Sequence, residues 1–314
     1  EEAYARVVDG IEDILDRHGP DALGFLGAPH CTNEENYLLQ KLARVLGTNN
    51  VDNRARLCHA AATRALEARL GWPATTNGLS ELVETDVIVV AGGNPAERQP
   101  VAFNSFVRPA VNDGATLVHI DPVGNATTRL ADVHLAPRPG TDAVVFNLLS
   151  ARLLREADSS ENRRRRRRSG DHGVDWPFVD DRTRGFESFA ASLRTIDPEG
   201  ATSRADVDES EIDRVTELLA EADSAAAFVG TGVESGDGNT PDALLNLLLL
   251  TGNLGRRGTG LYVLRGLANE QGATDAGCVP DRLPGHRSVH DREARERIAA
   301  GWGVEPPSDP GLTA

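Results

Sequence analysis

The sequence predicts an α/β fold with parallel sheets covered by helices, and three observations carry that reading. Strand-like apolar runs alternate with helical patterns over most of the chain. Several of the runs end in Gly-rich turns, as strands do before they feed a helix. At 314 residues and 39% hydrophobic, the chain is long enough for two compact domains with sizeable cores.

Taken in order, "DALGFLGAP" (Asp21 to Pro29) reads as a strand ending in a Gly/Pro turn. Thr32 and Glu35 then stand at capping-box spacing before "ENYLLQKLARVLG", an amphipathic helix closed by Gly47. "DVIVVAGGNPAE" (Asp86 to Glu97) is a buried strand running into a Gly-Gly-Asn loop. "ATLVHIDP" (Ala115 to Pro122) is another strand, with Asp121 at its carboxyl end, and "AAAFVGTGV" (Ala225 to Val233) repeats the strand-then-glycine plan. Ligands of open α/β sheets bind at those carboxyl ends. One stretch breaks the pattern: "READSSENRRRRRRSGDHG" (Arg155 to Gly173) holds six consecutive arginines and no apolar periodicity. It is predicted as a mobile surface loop, a solvated insertion neutralised by acidic surroundings in preference to a patch for nucleic acid or an acidic partner.

Acidic residues outnumber basic ones, 48 to 33, for a net charge of −15, and Lys41 is the sole lysine. A lysine-poor acidic surface keeps a protein hydrated in concentrated salt, which suggests a halophilic setting beside the plainer reading of a generic acidic protein. Such a field disfavours nucleic acid as a partner. With no long apolar run and no signal pattern, no membrane span is expected and the chain is read as cytoplasmic. It begins at Glu1 and has no methionine, so it is expected to be a segment of a longer or processed polypeptide. Cys31, Cys58 and Cys278 are too few and too widely spaced for a disulfide framework or a complete zinc or iron–sulfur site.

Within "RARLCHAAA" (Arg54 to Ala62), Cys58 directly precedes His59. By themselves the two could be a metal ligand with its proton handler, a nucleophile with its base, or a pair of ordinary buried side chains. A papain-type dyad is set aside, because helical neighbours in sequence do not face each other.

The longer strings resemble a known family. "TNEENYLLQKLARVLGTNNVDNRARLCHAAA" (Thr32 to Ala62) and "LLLLTGNLGRRGTGLYVLRGLANEQGATDAGCVPDRLPG" (Leu247 to Gly285) are similar to the catalytic subunit of molybdopterin-dependent formate dehydrogenases, in the dimethyl-sulfoxide-reductase superfamily. "AGGNPAERQPV", "HIDP", "ADVHLAPRPGTDAVV" and "VDWPFVDDRTRGFESF" fall in the same order and spacing. The resemblance implies two doubly wound αβα domains, truncated at both ends: 1–55 in the first, 56–265 in the second with the Arg-rich insertion near 159–172, and 266–314 returning to the first.

It further implies a molybdenum bis(molybdopterin guanine dinucleotide) cofactor, with Cys58 as the protein thiolate on the metal, His59 as a proton-handling group and Arg265 holding formate. A soft thiolate suits such a metal, and Arg54 and Arg56 are expected to help keep the sulfur deprotonated. Cofactor contacts carry over to Asn94 and Glu97, Asp121, Gly140 and Asp142, with Gly230 and Gly232 letting backbone approach phosphates. The implied reaction is oxidation of formate to carbon dioxide or its reverse. A [4Fe–4S] cluster is expected in an N-terminal domain outside this sequence, so an iron–sulfur domain or subunit is the expected electron partner. Departures from the family's pattern occur at Arg54, at Ala60 to Thr63, and at Val123, Leu267 and Ala268. The rival readings are a related oxidoreductase of nitrate or a sulfur oxyanion, against which His59 weighs, and a catalytically inactive paralogue serving in assembly.

Overall fold

Contacts divide the chain into two units, Glu1–Cys58 with Arg265–Ala314, and His59–Leu264. The computed structural model describes residues 1–158, 173–234 and 239–314; the arginine run lies outside the described residues.

In the first unit, helix α1 (Glu2–His18) precedes strand β1 (Phe25–Gly27), helix α2 (Asn33–Val45) and strand β2 (Val51–Asn53). The predicted capping box starts α2: Thr32 Oγ1 accepts from Glu35 N at 3.2 Å, and Glu35 Oε2 accepts from Thr32 N at 2.8 Å. Each bond satisfies a backbone N–H that the first helical turn leaves without a partner. Gly47, at φ 98°, supplies the left-handed residue after the helix. β1 and β2 pair in parallel, Phe25 opposite Val51, and Ala43, Val51 and Cys278 form a small core beneath them.

Arg44 ties the N-terminal part of this unit to its C-terminal part. Its side chain is fully buried, yet every guanidinium N–H has an acceptor. Nε donates to Asn49 Oδ1 (2.9 Å), Nη1 to Gln40 Oε1 (2.5 Å) and Gly277 O (2.8 Å), and Nη2 to Val279 O (2.9 Å) and Arg282 O (2.8 Å). A buried charge is tolerated only when its donors are all met in this way. Burial lowers the pKa of Arg44 to about 10, which leaves it charged at neutral pH.

The second unit is organised by a five-stranded sheet of β3 (Val87–Ala91), β4 (Thr116–Ile120), β5 (Val133–Leu135), β6 (Ala225–Val229) and β7 (Gly260–Val263), all parallel, in the order β5-β4-β3-β6-β7. Strand alternation sends Val87, Val89 and Ala91 to one core and Ile88 and Val90 to another. The first core includes residues of helices α3 (Arg56–Leu70, entering this unit at His59), α4 (Asp142–Asp158), α5 (Glu209–Glu221) and α6 (Thr240–Leu250); the second includes Phe103, Val107 and Tyr262. Both faces are covered, which is why "VIVVA" carries no polar side chain: each buried Val or Ile contributes on the order of 1.5–3 kcal/mol. The chain builds outward from β3 to β4 and β5, then returns to lay β6 and β7 on the other side of β3. The topological switch point therefore lies between β3 and β6, where the loops from Gly92 and Gly230 emerge.

Candidate functional site

In the first unit, Cys58 is buried at 3% exposure. Burial chiefly, and then a hydrogen bond with Glu270, push its thiol up to about 11; the Gly266 backbone and the Arg54 charge pull the other way. In the ligand-free chain the sulfur is therefore protonated at neutral pH. Arg54 pulls in the expected direction, but burial and Glu270 outweigh it, and both arginines are engaged by carboxylates. Arg54 Nη1 is bonded to the fully buried Glu270 carboxylate, and Arg56 Nε is bonded to Asp52 Oδ2 at 2.6 Å. Gly266 runs beside the sulfur: a Cβ there would lie 3.3 Å from Arg54 Nη1 and 3.8 Å from Cys58 Sγ. Arg265, half-buried, is the residue immediately before it. The structure thus groups Cys58, Arg54, Gly266 and Glu270, and the chain attaches Arg265 to that group.

His59 opens the second unit and is 3% exposed. Its φ of −152° and ψ of 30° interrupt α3, so the helix restarts after it. The restarted turn is capped from far along the chain. The Glu234 carboxylate accepts from Ala61 N at 2.6 Å and from Ala62 N at 2.9 Å, meeting two first-turn N–H groups and placing negative charge at the positive end of the helix. Cys58 and His59, adjacent in sequence, are thereby set apart by a break in the helix.

At the carboxyl edge of the sheet, Asn94 Oδ1 accepts from Thr127 N (3.2 Å) and Thr127 Oγ1 (3.0 Å), while Asn94 Nδ2 donates to Glu97 Oε2 (2.9 Å). Asp121 Oδ1 accepts from Val123 N at 3.0 Å, forming the turn that ends β4. The loop after β3 is held from below by His119, a fully buried imidazole. Its Nε2 lies 2.9 Å from Gly93 O and its Nδ1 2.8 Å from Thr128 Oγ1. A carbonyl only accepts, so Nε2 carries the proton and Nδ1 accepts from the threonine. Burial lowers the His119 pKa, which favours that neutral form.

Gly230 and Gly232 serve a purpose that the sequence did not show. A Cβ on Gly230 would sit 2.3 Å from Gly92 O, and one on Gly232 2.8 Å from the same atom. Both glycines let the loop after β6 press against the loop after β3. Asn94, Glu97, Asp121, Gly230 and Gly232 thus converge around the switch point. Gly140 and Asp142 follow the edge strand β5: Gly140 is exposed with φ 83° and open space at its Cβ, and the buried Asp142 begins α4.

His119, Glu234 and Glu270 were not singled out from sequence. His119 reads as one more residue of a strand, and Glu234 lies 173 residues from Ala61. Glu270 stands in "ANEQG", whose helical context gives no sign that a carboxylate turns toward Cys58.

Among the described residues, no group of three or more His, Cys, Asp or Glu side chains is placed to hold a metal ion. One soft, buried sulfur suits a metal whose remaining ligands arrive with a cofactor. Among known proteins, the molybdopterin oxidoreductase family matches residues 1–289. The chain belongs to that family. Membership implies a molybdenum–pterin cofactor. The chain is 34% identical over its whole length to the probable oxidoreductase YjgC of Bacillus subtilis, covering 31% of that protein. It is 35% identical, over 97% of its length, to both formate dehydrogenase H of Escherichia coli and the assimilatory nitrate reductase catalytic subunit of Bacillus subtilis, covering 41% of each. The chain thus spans about a third to two fifths of these relatives. Acetylene hydratase from Pelobacter acetylenicus shares the fold, with a TM-score of 0.65 over 80% of this chain and 32% of that one at 17% identity. Among the described residues, no helix is long and apolar enough to cross a membrane.

Proposed function

We propose that this molybdopterin oxidoreductase segment takes part in the two-electron oxidation of formate to carbon dioxide, or its reverse, at a bis(molybdopterin guanine dinucleotide) site. The observation that carries the reading is the buried Cys58 joined to a buried His59 across a helix break, with Arg265 next to the glycine that flanks the sulfur. When bound, the molybdenum–pterin group supplies the two-electron acceptor. Cys58 gives up its thiol proton and offers the metal a soft ligand. Arg265 holds the formate carboxylate through two charge-assisted hydrogen bonds, which orients the C–H bond and balances the anion's charge. The His59 imidazole accepts the proton released with carbon dioxide. In this reading Asp121 binds ribose hydroxyls, Asp142 the guanine edge and the Asn94–Glu97 loop the pterin nucleotide. Electrons leave through an iron–sulfur domain or subunit.

A second reading, nitrate reduction, is supported by the equal identity to a formate dehydrogenase and a nitrate reductase. One experiment addresses both. In the full-length protein, Arg265→Lys retains the charge but loses the fork, and formate turnover per molybdenum atom should fall at least about tenfold with metal content intact. Unchanged turnover per molybdenum removes Arg265 from substrate binding. Wild-type protein that reduces nitrate and leaves formate untouched establishes the second reading.

A further inference from the structure

We propose that Arg54 and Glu270 act as one charge-setting pair that positions the Cys58 sulfur and fixes the reduction potential of the metal it binds. The proposal rests on the reading of Cys58 as the metal's protein ligand. Four observations within the first unit carry it. Glu270 is fully buried, and burying a carboxylate is costly unless a cation and hydrogen bonds compensate it. Arg54 provides that cation, its Nη1 bonded directly to Glu270 Oε1. While Cys58 is a thiol, the same carboxylate is its hydrogen-bond partner, which sets the carboxylate beside the sulfur. Gly266 leaves room for this arrangement, since a Cβ there would come within 3.3 Å of Arg54 Nη1 and 3.8 Å of the sulfur.

The ion pair is asymmetric, and the asymmetry gives it a function. The Glu270 side chain is 0% exposed while that of Arg54 is 51% exposed, so the negative end sits in low dielectric beside the sulfur and the positive end meets solvent. Negative charge near a metal favours its oxidised, more positive state; positive charge favours the reduced state. Together the two partly cancel at the metal, the buried carboxylate being the stronger, and either alone shifts the potential further.

The test uses the full-length, molybdenum-loaded protein and reads the molybdenum midpoint potentials by redox titration with electron paramagnetic resonance. Arg54→Gln leaves the Glu270 charge facing the sulfur and should lower the potential, changing the one-electron equilibrium at least tenfold, or 59 mV. Glu270→Gln leaves the Arg54 charge and should raise it by a similar amount. The double variant should fall between the two single variants, because it removes both charges and keeps both shapes. Single-variant shifts of the same sign, or a double variant that sums rather than cancels them, overturn the pair as a charge-setting device. So do unmoved potentials in both single variants. X-ray absorption at molybdenum on Cys58→Ala separates this failure from that of the underlying reading: a metal shell that loses no sulfur defeats ligation itself, whereas a lost sulfur with unmoved potentials in the Arg54 and Glu270 variants defeats only the pair.

Discussion

Replacing Gly230 with alanine tests whether the switch point depends on two loops packed backbone to backbone. The new Cβ would fall 2.3 Å from Gly92 O, 2.7 Å from Gly93 Cα and 2.8 Å from Gly92 C. Ordinary contact is ~1 Å longer than the shortest of these, and no flexible side chain is there to move. The loops must therefore separate. Two hydrogen bonds hold them in place, Gly230 N to Ala91 O at 2.8 Å and Gly232 N to Gly92 O at 2.9 Å. Overpacking costs ~1–3 kcal/mol, and a weakened backbone hydrogen bond ~1 kcal/mol more, so a loss of about 2–4 kcal/mol is expected. Urea denaturation of the full-length protein measures it, with molybdenum content counted in the same samples. Both should fall. Gly24→Ala is the control: no atom lies within 4 Å of its Cβ and its φ is ordinary, so stability should change by less than about 1 kcal/mol. A Gly230→Ala protein with wild-type stability and full metal content would refute the reasoning.

Two further predictions concern the first unit. Arg44→Leu removes the donor to five buried acceptors and should destabilise the chain by about 3–5 kcal/mol, with Arg44→Lys recovering little because an ammonium has only three donors; chemical denaturation checks both. The Cys278 thiol is raised from its ordinary 9.0 to about 11, chiefly by burial. Its contribution to stability is therefore complete below pH 9 and lost as pH rises toward 11, where the unfolded chain gives up the proton first; in cofactor-free protein, Cys278→Ala should flatten that alkaline slope in melting curves.

Much of the architecture was legible because it depends on short-range pattern. The Thr32–Glu35 box, the strand in "VIVVA" and the glycine turns all announce themselves within a few residues, since capping and burial on both faces of a parallel sheet are local demands. Cys58 and His59 stood out for their adjacency, and the resembling strings gave them a role. What stayed hidden depends on partners distant in sequence. Arg44 reads as a polar position of an amphipathic helix until the carbonyls of Gly277, Val279 and Arg282 close around it. Glu234 and Glu270 are ordinary acidic residues until the fold brings one to the N–H groups of Ala61 and Ala62 and the other to Arg54 and the Cys58 sulfur. The glycines at 230 and 232 were legible as special, but whether they face a phosphate or another backbone is a question that only the packed loops answer.

The central claim is that Cys58 is the protein ligand to molybdenum, and the most direct measurement replaces it with selenocysteine in the full-length protein. X-ray absorption at the molybdenum edge should then show one sulfur of the metal's first shell exchanged for the heavier selenium, with molybdenum content unchanged. A loaded protein whose metal shell is the same with sulfur or selenium at position 58 would contradict the account.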